Sequence, residues 1–351
     1  MTPITGATFA VPGELATPTE GYGYARRLLA DAGGAGLALT HLALPGGFPQ
    51  PSAGALAETE RLLMALPAGW PILIDGLALG AMPAQMLRTL PGPVVALCHH
   101  PLALETGVGA GEARRLRASE TAALAACAAV IATSATTART LVAEFGVPEE
   151  RLTVAVPGTD PASRAVGSGG PGVVLLSVGS LTLRKGHDVL IAAFAGLRDL
   201  DWRLTIAGPA ELDPDHAAAL MAQVAATGLG ERTAFAGALD APALDRAYER
   251  ADLFVLASRY EGFGMAYREA MAHGLPVLGC KGGAVAEATG GAAELVPPDD
   301  VAALRAALAR LIGDTAARAR LAEGCWQAAQ GFVRSSDTAA TVAAVLRRVA
   351  A

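Results

Sequence analysis

Three stretches of the chain gather the side chains best suited to chemistry. In Ser177-Val-Gly-Ser-Leu-Thr-Leu-Arg-Lys-Gly186, a glycine and two adjacent cations follow an apolar run and precede a helical pattern. Holding a diphosphate takes backbone N–H groups, a helix N-terminus and a cation. Gly179 permits close approach of the backbone, and Arg184 and Lys185 supply charge. Of 27 basic residues only Lys185 and Lys281 are lysines, which marks both positions in an otherwise arginine-only set. Without further context, the stretch also fits an ordinary strand-to-helix loop with solvated cations.

The second stretch runs Arg259-Tyr-Glu-Gly-Phe-Gly-Met-Ala-Tyr-Arg-Glu-Ala-Met-Ala-His-Gly-Leu-Pro-Val277. The loop Glu261-Gly262-Phe263-Gly264 opens a helix at about Met265, whose first N–H groups lack intrahelical partners and favour an anion or hydroxyls. Glu261 falls at the loop tip and Glu269 on the helix. Carboxylates accept hydrogen bonds from vicinal hydroxyls, so the two can fix two separate polyol groups. The plain alternative is a cap for Glu261 and a solvated helix position for Glu269. The third stretch is Cys98-His99-His100-Pro101, at the end of an apolar run. Adjacent histidines beyond a strand end face different ways; register favours His99 toward a ligand, with His100 as the alternative.

The elements that must position these residues are legible from the alternation of short apolar runs with longer helical patterns. Strands are expected at 7–11, 37–44, 71–75, 93–99, 128–133 and 152–156, and again at 172–179, 202–208, 232–237, 253–258, 276–280 and 293–297. Between them lie helical patterns such as 23–32, 55–66, 111–127, 136–145, 187–198, 215–228, 240–250, 265–273 and 301–312. Such alternation implies parallel sheets covered on both faces, with ligands bound beyond the C-terminal strand ends. The Gly-, Pro- and Ser-rich stretch from Asp160 to Pro171 reads as a linker. The expected architecture is α/β, with two doubly wound domains at 1–162 and 163–335. A helix in 336–351 is expected to cross back onto the first. A chain of 351 residues fits two such cores.

Composition excludes several alternatives. A net charge of −6 gives no global attraction to nucleic acid. Cys98, Cys127, Cys280 and Cys325 show no CxxC spacing, which suggests neither a zinc site nor a disulfide framework and fits a reducing cytoplasm. The start MTPITGATFAVPG lacks the pattern of a signal peptide. The longest uncharged stretch, Thr121 to Ala138, carries five Thr or Ser residues and reads as a helix end running into a strand. Asp199-Leu-Asp201 and Asp213-Pro-Asp215 match a DxD metal motif, but one follows a helix and the other starts one, so turn and cap roles are expected. No GxGxxG follows the first strand, against a nicotinamide dehydrogenase.

With VGSLTLRKGHDVLIAAF, FAGALDAPALDRAYERADLFVLASRYEGFGMAYREAMAHGLPVL and GGAVAEATGG in this order, the chain resembles the retaining glycosyltransferases of the family-4 type, which have the GT-B fold. The resemblance is strong over 172–315 and weaker before it. It implies transfer of a hexose from a nucleotide-sugar, chiefly a UDP-sugar, with retention of configuration, without a metal or cofactor, and onto a lipid or saccharide acceptor. Glycolipid or envelope polysaccharide synthesis is the expected setting. Glu261 would then bind the hexose, with the amides of Gly262, Phe263 and Gly264 and the following Met265. Glu269 would bind the ribose, Lys185 with Arg184 the diphosphate, and Ala238-Leu239 the nucleobase. His99 would face the transferred sugar, and Gly21, in Thr19-Glu20-Gly21, would lie in a loop beside phosphate and acceptor. Where the family commonly has Arg after the strand glycine, this chain has Ser180, leaving Arg184 or Lys281 to compensate.

Arg114, Arg115 and Arg117, with Arg26 and Arg27, suggest a basic face for the inner membrane surface. The rival reading of those arginines is a solvated face paired with Glu112 and Glu120. The rival functions are a nucleotide-sugar epimerase of GT-B fold and a catalytically silent nucleotide-sugar-binding subunit.

Overall fold

The computed structural model describes Ile4 and residues 6–350. Residues 1–3, Thr5 and Ala351 lie outside it, and with them the start of the segment considered above for a signal peptide. The chain divides into two compact units, 1–158 with 333–351, and 159–332.

The first unit begins β1 (Gly6–Pro12), α1 (Glu20–Asp31), β2 (Ala38–Leu44), α2 (Ala53–Met64) and β3 (Ile72–Asp75). Two short helices follow, α3 (Gly76–Leu79) and α4 (Ala84–Thr89). Then come β4 (Val94–Cys98), α5 (Ala110–Ala126), β5 (Ala129–Ala132), α6 (Ala135–Phe145) and β6 (Leu152–Val154). All pairings are parallel, in the order β2-β1-β3-β4-β5-β6. The order reverses between β1 and β3, so their C-terminal ends flank the crevice where such sheets bind ligands.

The second unit comprises β7 (Val173–Val178), α7 (His187–Phe194), β8 (Trp202–Ala207), α8 (Pro214–Ala226), β9 (Thr233–Gly237) and α9 (Ala241–Arg250). It continues through β10 (Leu253–Leu256), α10 (Met265–Ala272), β11 (Val277–Cys280), α11 (Val285–Ala288), β12 (Glu294–Val296), α12 (Val301–Gly313) and α13 (Thr315–Ala329). Its parallel sheet runs β12-β11-β10-β7-β8-β9, with the switch between β7 and β10. Burial shows why these strands lack polar alternation. In β10, Leu253 and Val255 enter one apolar cluster with Trp202, Phe194 and Leu308, while Phe254 and Leu256 enter another with Tyr267 and Met271. Both sheet faces are covered, as parallel sheets require.

The last helix, α14 (Ser335–Ala350), packs on α1 and β5 and so belongs to the first unit. Thr338 Oγ1 donates to Val156 O at 2.8 Å, and Arg347 to Ala35 O at 2.6 Å. The unit divisions fall a few residues before the 162/163 and 335/336 boundaries read from the sequence.

All twelve expected strands are present. The helix α13 escaped the pattern because only Ala317 and Cys325 along it are buried, which leaves no apolar stripe. The segment read as a linker has no helix or strand, yet it is pinned to the second unit. His273 O receives Ala165 N at 2.7 Å, Glu249 O receives Val166 N and Gly167 N, and Arg164 pairs with Glu323. Absence of an apolar period did not mean absence of partners, because most of these bonds run through the backbone. Among the described residues no helix is long and apolar enough to cross a membrane.

Candidate functional site

In the second unit the chemistry gathers at the β7/β10 switch. The loop after β7 carries Arg184 and Lys185 in a single 3-10 turn that Gly186 ends at φ +67°. Gly186 packs against β10's continuation: a Cβ there would stand 2.0 Å from Ala257 O, so only glycine lets the loops meet. Arg259 N donates to Arg184 O at 2.8 Å across the same seam. The first two residues of α7 also bolt it together. Fully buried His187 places Nε2 3.3 Å from Gly179 O, and burial lowers its pKa to about 4. Asp188 takes a bidentate bond from Arg259, which also reaches Asp299 at 2.8 Å.

The loop after β10 turns Glu261 inward. Its side chain has no solvent exposure, and Lys185, beside it, is 2% exposed. Lys185 Nζ stands 2.8 Å from Oε1 and 3.1 Å from Oε2. Ser258 Oγ donates to Oε1 at 2.5 Å, and Arg184 Nη1 to Oε2 at 3.1 Å. Burial alone would raise this carboxyl, but the charges of Lys185 and Arg184 outweigh it and hold it at about 2. Four contacts fill the roughly four acceptor positions of a carboxylate. In this arrangement Glu261 is therefore saturated by protein donors, and Lys185 and Arg184 share its charge.

Beyond Glu261, Gly264 adopts φ +107° and caps α10. Phe263 and Met265 are buried, and Arg268 lies over the rings of Phe263 and Phe332. Burial lowers the Arg268 pKa to about 10. Glu261 N and O bond to Gly282 O and Ala284 N, so the loop after β11 clasps this one. Glu269, one helical turn into α10, accepts from Tyr248 Oη at 3.2 Å. Ala238, exposed, and Leu239, half-buried, follow the edge strand β9, two strands from β7. Ser180 Oγ lies 3.4 Å from Thr182 Oγ1, and Lys281 is exposed after β11. Of the two DxD matches, Asp213 caps α8 by accepting His216 N at 3.1 Å, as the turn-and-cap reading expects.

The first unit brings other expected residues together at its own switch. His99 follows β4, with Nε2 3.2 Å from Asp75 Oδ2 at the end of β3. Gly21, in the first turn of α1, lies against the His99 ring: a Cβ there would be 3.9 Å from Cδ2. The Tyr24 ring meets it edge-on at 5.2 Å. Both ring nitrogens of His100 are enclosed by protein, whereas the His99 side chain is 25% exposed, so the outward histidine is His99. The basic face is largely engaged within the chain. Arg115 pairs with Glu112, Arg117 with Glu144, and Arg26 and Arg27 bond to carbonyls. Glu120, expected as an arginine partner, is instead buried and accepts Leu102 N at 3.2 Å. The sequence reading missed Asp75, Ser258 and Tyr248. For Asp75 and Ser258 the available signal was position, since each closes an expected strand.

Comparison with known proteins agrees with this architecture. Residues 160–325 match the family model described as glycosyl transferases group 1, and residues 32–163 that described as glycosyltransferase family 4. The chain is 32% identical to D-inositol 3-phosphate glycosyltransferase 1 of Catenulispora acidiphila over 237 residues, 61% of this chain and 56% of that one. Matched segments span between 34% and 56% of the length of three curated relatives. Sucrose-phosphate synthase from Thermosynechococcus elongatus superposes with a TM-score of 0.80 at 21% identity, covering 97% of this chain and 98% of that one. Anabaena HepE in complex with UDP-glucose gives 0.78 at 18%, covering 97% and 99%. With both family models matched in order and the GT-B fold shared, the chain belongs to the glycosyltransferases of the family-4 type.

Proposed function

We propose that the protein transfers a hexose from a nucleotide-sugar to a hydroxyl acceptor, with retention of configuration and without a metal. The observation that carries this reading is the convergence of Arg184, Lys185 and Glu261 at the β7/β10 switch, beside the N-terminus of α10. Cations and a helix N-terminus stabilise a leaving diphosphate as its charge develops. A UDP-sugar is the donor we propose, as in the UDP-glucose complex of the HepE fold neighbour. Lys185 and Arg184 serve the diphosphate, Glu269 the ribose, and the loop Glu261–Gly264 the hexose, with its backbone amides as the available donors. Because Glu261 is saturated by Lys185, Arg184 and Ser258, its first role is to hold the two cations in place.

A saccharide acceptor is favoured over a lipid, since four of the five arginines that suggested a membrane face, Arg26, Arg27, Arg115 and Arg117, have partners within the chain. The test is a thermal-shift screen of UDP-, GDP- and ADP-sugars, then transfer assays with saccharide and vesicle-borne lipid acceptors, with and without EDTA. Stabilisation by a UDP-sugar and EDTA-resistant transfer to a saccharide are expected. No response to any nucleotide-sugar overturns the reading. Binding without transfer or donor hydrolysis identifies a silent subunit, and loss of transfer in EDTA with recovery in Mg²⁺ or Mn²⁺ overturns metal independence.

A further inference from the structure

The first unit holds a second pairing of chemical groups, built by the topology. Its sheet switches direction between β1 and β3, and Asp75 is the last residue of β3. The next residue, Gly76, starts α3 so close to β4 that a Cβ would stand 2.8 Å from Leu97 O. This approach sets the Asp75 carboxylate against His99, just past the end of β4. Asp75 Oδ1 accepts Leu77 N at 2.9 Å as the cap of α3, and Oδ2 meets His99 Nε2 at 3.2 Å. The carboxylate is 9% exposed. Tyr24 bounds the His99 ring edge-on, Gly21 lies beside it, and Thr133 Oγ1 donates to His99 O at 3.3 Å. Backbone and ring are therefore both held.

An ionised carboxylate only accepts hydrogen bonds, so Nε2 must carry the proton, and a neutral ring then has its lone pair on Nδ1. We propose that Asp75 is a positioning residue that fixes this tautomer of His99, presenting Nδ1 as a hydrogen-bond acceptor for a hydroxyl of the sugar substrate. The substrate part of the proposal rests on the transferase reading; the tautomer does not.

Asp75→Asn tests it with little disturbance, because asparagine also caps helices well and keeps an oxygen for Leu77 N–H. Its amide NH₂ then faces Nε2 and imposes the opposite tautomer. Nitrogen-15 NMR of histidine-labelled protein, in mildly alkaline buffer, should show His99 protonated on Nε2 in the wild type and on Nδ1 in D75N. Turnover in D75N should fall on the order of 10²-fold or more, as expected when an imidazole is held in the wrong tautomer. The donor KM should change by less than about threefold, as for a loss confined to the turnover step. His99→Ala should lose a similar factor, and the double variant should lose no more than either single one, since the two act as one unit. Protonation on Nδ1 in the wild type, or an unchanged tautomer in D75N, overturns the pairing. Full turnover in D75N despite a switched tautomer overturns the role of Nδ1. If the wild type transfers no sugar while the tautomer switches as expected, the transferase reading fails and the pairing stands.

Discussion

Lys185 Nζ lies 2.8 Å from Glu261 Oε1, with Lys185 2% and Glu261 0% exposed. Each residue is the other's principal counter-charge inside the protein. Breaking a buried pair by removing one partner leaves an uncompensated charge and typically costs about 3–5 kcal/mol. Glu261→Ala and Lys185→Ala should each lose stability in that range in urea denaturation. The double variant K185M/E261Q should lose clearly less than the sum of the two single changes. Additive losses would show that the two side chains act independently. The same pairing sets an acid limit. With its pKa depressed to about 2, against the ordinary 4.5, Glu261 contributes stability that is present above about pH 4.5 and lost as pH falls through about 2. Glu261→Gln should remove that part of the acid transition.

Glu269 and Tyr248 give a second prediction. Tyr248 Oη donates to Glu269 Oε2 at 3.2 Å and fixes the carboxylate at the start of α10. If Glu269 holds ribose hydroxyls, Glu269→Ala should weaken UDP and UDP-sugar alike by about 1.5–3 kcal/mol, the range for charged hydrogen bonds. Tyr248→Phe should weaken both by less, about 0.5–1.5 kcal/mol, through lost orientation. Calorimetric titration with both ligands checks this. An effect on UDP-sugar but not on UDP would move Glu269 away from the ribose.

Glu120 predicts a decline in stability near neutral pH. It lies on α5 beneath the turn that follows Pro101, where burial pushes its carboxyl up to about 7. A raised carboxyl pKa means the folded state holds the proton more tightly than the unfolded chain. Its contribution is therefore fully present below about pH 4.5 and lost as pH rises through about 7. Over that window the wild type should lose stability on the order of 3 kcal/mol relative to Glu120→Gln, by the linkage of a shift of this size. Parallel stability curves for the two proteins from acid to neutral pH would refute it.

Much of the architecture was written in local pattern. Apolar runs such as LFVL must be buried on both faces, so a parallel sheet follows from them without tertiary information. Loop glycines and the adjacent Arg184 and Lys185 marked an anion-binding loop for the same local reason, since backbone access and charge are properties of residue type. The cap at Asp213 was equally legible: it stands where its helix begins and accepts the N–H three residues on. What the sequence could not carry was pairing between distant loops. Lys185 and Glu261 are 76 residues apart, and Asp75 and His99 are 24 apart. Their partners are chosen by strand order, which places the ends of β7 and β10, and of β3 and β4, side by side. Residue types alone left Lys185 a cation awaiting a phosphate and Glu261 a carboxylate awaiting a sugar. The tertiary structure brought them within hydrogen-bond distance and out of water, where two opposite charges must satisfy each other.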